Sequence, residues 1–218
     1  MQTNALLCGI RPQSAYPGRT GNTVAVISYS LQSLFLCVQA VGQQPFAIVL
    51  GCSDSRVSAE MVFDQGLGDL FVIRVAGNIV APSQVGSVEF AAARFGTRLV
   101  VVLGHTQCGI VMTTLEEIKR PTEDQSRNLR SIVDRIRPSL EELLDPDLRH
   151  DFNDLVRHAV RANIRASANH LRHGSQIIEQ LIQKDDLIVV GAEYSLETGI
   201  VDFFYIPGVN SYNLITIL

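Results

Sequence analysis

Two short segments gather the residue types that bind metals and activate water. They are Gly51-Cys52-Ser53-Asp54-Ser55-Arg56 and Gly104-His105-Thr106-Gln107-Cys108-Gly109. Each begins where a wholly apolar run ends, and open parallel sheets hold their ligands just beyond the carboxyl ends of their strands. If the two runs are neighbouring strands, Cys52, His105 and Cys108 converge on one point. Two thiolates and an imidazole are three of the ligands that Zn²⁺ takes in a tetrahedral set. Either segment alone is a weak sign, because a single cysteine after a strand is usually a small buried hydrophobe. A cysteine–histidine nucleophilic pair is the other chemistry these types support, but it leaves the second cysteine unexplained.

Charge then bears on what the metal can do. Zn²⁺ with two thiolates and a neutral imidazole is formally neutral, so it acidifies a bound water less than a three-histidine site would. Asp54, two residues from Cys52, is placed to take the fourth coordination position or to accept a hydrogen bond from a hydroxide on the metal. Arg56, two residues further on, can pair with that carboxylate through its planar fork, orienting it and keeping it ionised.

The elements that must position these groups follow from the apolar pattern. Phe46–Leu50, Asp69–Val75, Arg98–Leu103 and Leu187–Gly191 are short apolar runs of the kind found in strands buried on both faces. Gly199–Tyr205 alternates more and is expected at a sheet edge. Ser83–Phe95 has helical spacing, a serine near its start and Gly96 as a stop. Residues 115–184 read as helical, with amphipathic stretches at Asn128–Leu144, Phe152–Leu171 and Ser175–Gln183. Strand, helix, strand in this rhythm predicts an α/β fold. Its mostly parallel central sheet should have about five strands, flanking helices and a helical second half.

Composition narrows the rest. The chain has 218 residues, 46% hydrophobic and 18% charged, with 18 basic and 22 acidic side chains giving a net charge of −4. It therefore lacks the basic footprint of a nucleic-acid binder, and no apolar run reaches the length of a membrane span. Four cysteines are too few for a disulfide scaffold, which favours a reducing, cytoplasmic setting. No acidic residue precedes Asp54, and the first 41 residues read as an atypical arm or as a leader. The leader reading would make the location periplasmic or organellar. His150, His158, His170 and His173 fall on different helical faces and read as solvated or capping residues.

Taken together, the two metal-binding segments resemble the paired zinc motifs of the β-class carbonic anhydrases. Cys52-Ser-Asp-Ser-Arg56 matches the first and His105-x-x-Cys108-Gly109 the second. The likeness extends through Gly42-Gln43-Gln44-Pro45, Gly68-Asp69-Leu70-Phe71 and Gly191–Asp202, and covers about residues 42–204. It sets the expected zinc domain at 42–205, between the arm and an atypical tail at 206–218.

The resemblance implies a zinc lyase that interconverts CO2 and bicarbonate, with one Zn²⁺ per chain on Cys52, His105 and Cys108. Asp54 and Arg56 would be the dyad that orients the attacking hydroxide, and Asp54 would ligate the metal in a closed state. Gln43 and Phe71 match the small substrate pocket, which the family builds at a subunit interface, so a homodimer or homotetramer is expected. Val75 and Phe90 are further candidate walls for an apolar substrate, and Gly109 closes the second motif on the substrate side. Other readings are hydrolysis of another small linear molecule such as carbon disulfide, or a zinc- or bicarbonate-binding protein without turnover. Phe90 stands where some members carry tyrosine, and Val49 where members with an inhibitory bicarbonate site carry tryptophan. Arg74-Val-Ala-Gly-Asn78 and Thr106-Gln107 also depart from the commoner pattern.

Overall fold

Alternation along the apolar runs decides how the sheet is built. In β1 (Ala47–Gly51), buried at every position, Ile48 and Leu50 face one apolar cluster while Ala47 and Val49 face another. A strand sandwiched in this way has no polar face to spare, which is why its sequence is continuous rather than alternating. β2 (Leu70–Arg74), β3 (Leu99–His105), β4 (Ile188–Tyr194) and β5 (Val201–Tyr205) complete a sheet of order β2-β1-β3-β4-β5. Every neighbouring pair is parallel except β4 with β5. The expected edge strand is thus at the edge, and it is the one that runs backwards.

This computed structural model describes residues 42–121, 126–141, 143, 151–184 and 186–205. The arm or leader expected at 1–41, the tail at 206–218 and His150 lie outside the described residues. The described helices are α1 (Ala59–Val62), α2 (Pro82–Phe95), α3 (Gly109–Lys119), α4 (Arg127–Glu141), α5 (Phe152–His173) and α6 (Gln176–Gln183). None of them is long and apolar enough to cross a membrane.

Two helix starts differ from the sequence reading. In α2 it is Pro82, not Ser83, that sets the beginning: proline occupies the first turn with no side-chain cap, where its fixed φ suits a helix and its missing N–H costs nothing. The stop is as expected, with Gly96 in the left-handed region at φ 69°. α3 begins at Gly109, directly after Cys108 and well before residue 115. Glycine and β-branched residues make Gly109–Thr114 weakly helical by propensity. Burial of Val111 and Leu115 in the helix-side cluster overrides that weakness.

The register matters most for function. Gly51 at the end of β1 pairs with Leu103 in β3. Cys52, one residue beyond β1, is therefore level with Gly104, next to His105 at the end of β3.

Candidate metal centre

Three elements deliver one candidate ligand each. Cys52 leaves β1, His105 ends β3, and Cys108 caps the N-terminus of α3. Their ligating atoms lie within 4.8 Å of one another, and all three residues are buried. Among the described residues no other trio of His, Cys, Asp or Glu comes together in this way. The sulfurs of Cys52 and Cys108 are 4.0 Å apart, about twice a disulfide bond, and both thiols are free.

The donors fit a metal. His105 Nδ1 lies 2.8 Å from the Thr106 carbonyl, which can only accept, so this nitrogen carries the proton and Nε2 keeps the lone pair. That Nε2 atom is fully buried and has no hydrogen-bond partner. A buried, unpartnered acceptor facing two thiols is costly unless an ion takes its lone pair. Two sulfurs and an imidazole suit Zn²⁺.

Electrostatics set the two sulfurs apart. The hydrogen bond from the Cys108 thiol, helped by His105 and the Gly77 N–H, draws the Cys52 thiol down to about 4 despite its burial. Cys108 is pushed up by that same bond, by burial and by the neighbouring charge. Burial works against a charged His105, yet the neighbouring Cys52 sulfur and the Thr106 carbonyl raise it on balance.

Asp54 and Arg56 meet as the spacing suggested. Arg56 Nε donates to Asp54 Oδ1 at 2.9 Å and Nη2 to Oδ2 at 2.6 Å, a bidentate pair, and the Arg56 peptide N–H adds a third bond at 3.0 Å. These bonds, foremost that of the Arg56 side chain, hold the Asp54 carboxyl well below the usual carboxylate range. Asp54 Oδ2 stands 3.9 Å from His105 Nε2, so the carboxylate faces the ligand cluster.

Several supports escaped the sequence reading. Arg74, at the end of β2, donates to the carbonyls of Cys52 at 3.0 Å and Asp54 at 2.6 Å, and so holds the first metal-binding loop by its backbone. Gly77, at φ 70°, donates its N–H to Cys52 Sγ at 3.3 Å, while buried Asn163 holds the Gly77 carbonyl at 2.8 Å. A Cβ at residue 77 would come within 2.7 Å of Ile110 and 2.9 Å of Ile136, so only glycine fits there. Glu197, in the β4–β5 loop, bonds both Thr106 and Gln107.

The residues expected around a substrate are spread more widely. Phe71 and Val75 pack against the apolar cluster that contains Cys52 and Cys108. The Val75 N–H also bonds the Gly51 carbonyl at 3.1 Å, next to the first ligand. Phe71, Phe90 and Phe95 form a trio with ring centres 5.7–6.1 Å apart, and Phe90 remains 53% exposed. Gln43 is exposed beside Gly68, and Gly109 is the exposed first residue of α3. His173 pairs with Glu179 at 3.4 Å, far in sequence from the metal cluster.

Comparison with known proteins agrees with this arrangement. The carbonic anhydrase family model matches residues 47–201. Carbonic anhydrase 2 of Mycobacterium tuberculosis is 38% identical over 160 residues, covering 73% of this chain and 74% of that protein. The solved structure of the β-carbonic anhydrase CcaA has a TM-score of 0.71 at 27% identity, over 83% of this chain and 85% of that one. One of two tetrameric β-carbonic anhydrases from the ascomycete Sordaria macrospora also reaches 0.71, over 80% and 88% of the chains. Its identity is 23%, a likeness of fold. The matched span contains both metal-binding loops and the strands that carry them, so sequence, architecture and donor set lead to one conclusion: the chain belongs to the carbonic anhydrase family, in its β class.

Proposed function

We propose that the protein is a working zinc carbonic anhydrase, in which Cys52, His105 and Cys108 hold one Zn²⁺ per chain and Asp54 with Arg56 forms the orienting dyad. The observation that supports this most directly is the buried trio of donors with an ionised, arginine-clamped carboxylate facing it. Bound zinc supplies a Lewis acid that makes a water nucleophilic near neutral pH. The chain's own residues do the rest. Asp54, kept ionised by Arg56, accepts a hydrogen bond from the attacking water and so turns a lone pair toward the substrate carbon. Arg56 fixes both carboxylate oxygens, which supports an open arrangement in which Asp54 orients rather than ligates. Val75 and Phe71, and Phe90 through Phe71, offer apolar walls that suit a linear molecule without hydrogen-bond donors. Gln43 and Gly109 are assigned to the polar rim that receives bicarbonate.

Assembly and location are part of the same proposal. Phe90 and Phe46 expose large apolar surface at 53% and 55%, and the S. macrospora neighbour is tetrameric; both support a homodimer or homotetramer. Two free buried thiols favour the cytoplasm.

Stopped-flow CO2 hydration by purified protein, with zinc measured on the same sample, tests the reading. The wild type should turn over with about one zinc per chain. Asp54→Ala should keep its zinc and lose about a hundredfold or more of its rate. Normal turnover in that variant would remove the dyad from the mechanism.

A further inference from the structure

We infer that Glu197 is a positioning residue for the metal centre: from the β4–β5 loop it braces the Thr106–Gln107 link between two ligands and slows loss of the metal. The inference rests on Cys52, His105 and Cys108 being the metal ligands.

Thr106 and Gln107 are the only residues between His105 and Cys108, so any drift of this link moves both ligands. Glu197 grips both. Its Oε2 accepts from the Thr106 hydroxyl at 2.7 Å, and its Oε1 from the Gln107 amide at 2.6 Å. The carboxylate is itself steadied by the Ser195 hydroxyl at 3.1 Å, which in turn accepts from the Thr198 N–H at 3.1 Å.

Thr106 is the node through which the brace acts. Its hydroxyl accepts from the Leu196 N–H at 3.0 Å, and its own N–H donates to the Tyr194 carbonyl at 3.0 Å. Its carbonyl takes the proton of His105 Nδ1 at 2.8 Å, the bond that leaves Nε2 free for a metal. The bonds to Tyr194, Leu196 and Glu197 thus fix the position of the atom that orients the histidine. Gln107 needs holding for a separate reason. It sits at φ 55°, a left-handed conformation that a non-glycine residue keeps only when its surroundings enforce it. The Glu197 bond to its side chain is such an enforcement. Glu197 is exposed and belongs to no apolar cluster, so removing its side chain opens no cavity, and its effect is confined to the loop.

The test uses the full-length, zinc-loaded protein and its Glu197→Ala, Glu197→Gln and Thr106→Val variants. Three quantities are read: the rate of zinc transfer to an excess of chelator, the visible absorption bands of the Co²⁺-substituted protein, and the melting midpoint. Glu197→Ala should release zinc about tenfold faster and shift the cobalt bands, as loss of an outer-shell partner does. Glu197→Gln should fall between, because its carbonyl still receives the Thr106 hydroxyl. Adding Glu197→Ala to Thr106→Val should cost less than the sum of the two changes, since both break the same link. Wild-type zinc release with unchanged cobalt bands in Glu197→Ala overturns the brace while leaving the ligand set intact. Should the alanine variant melt too low for its release rate to be read, wild-type release by Glu197→Gln overturns it equally. A wild type that holds no stoichiometric metal overturns the ligand set, and the brace with it.

Discussion

A histidine can ligate through either ring nitrogen, and here a peptide carbonyl makes the choice. Because Thr106 O takes the Nδ1 proton, His105 presents Nε2 to the two sulfurs. The sulfurs cannot be replaced so easily. Cys108→Ser should lose zinc and activity together, since a serine hydroxyl does not replace sulfur as a zinc ligand. Metal analysis of the purified variant checks this, and a full complement of zinc would mean that another group ligates. The sign of the Asp54 effect follows from its depressed carboxyl. A group lowered in the folded state stabilises above its unfolded value and loses that contribution as pH falls through the folded one. Asp54 is therefore ionised throughout the neutral range, and a rate that falls on mild acidification reports some other group. The three candidate ligands, which the structure brings together, were legible in the sequence because each stands at or just past the end of an apolar run. Arg74 and Glu197 were not. One acts on backbone carbonyls, which leave no trace in a pattern of side chains. The other meets a residue 91 positions away, and nothing local announces such a contact.

At the scale of elements, the site is a consequence of β1 lying beside β3 in a register that sets Gly51 against Leu103. Close packing by α5 protects that register. A Cβ at residue 104 would lie 2.5 Å from Cδ1 of Ile164, and one at residue 191 would lie 2.9 Å from its Cγ2. Ile164 is fully buried and has nowhere to retreat. Gly104→Ala should therefore cost about 1–3 kcal/mol, seen as a lower midpoint in chemical denaturation. Ile164→Val, by removing Cδ1, should restore part of it in the double variant. An unchanged midpoint would show that α5 can shift away from the sheet. The strands themselves were readable because burial on both faces enforces continuous apolar runs. The start of α3 was not, because its first turn is held by Val111 and Leu115 in the core rather than by residues that favour a helix. Pro82 likewise outweighed the more familiar serine signal, since a fixed φ begins a helix without any cap.

At the scale of the molecule, apolar surface is left over. Phe46, Met61, Leu67, Phe90 and Ile200 are all more than half exposed, and a second copy of the chain would cover such groups on assembly. Sedimentation at micromolar concentration should find a dimer or tetramer, and Phe90→Ser should weaken it. A monomer in both proteins would return the aromatic trio to a purely internal role. The path of the chain carries one more consequence, concerning synthesis. Proteins emerge from the ribosome with the N-terminal part first. All three ligands exist once residue 108 has been made, but β4, β5 and the Glu197 turn between them come only after the whole helical half. For that interval the nascent chain carries a complete set of donors on a loop that can still open. If Glu197 braces the link as proposed, the final strands to be translated would shut the door behind a metal bound before them.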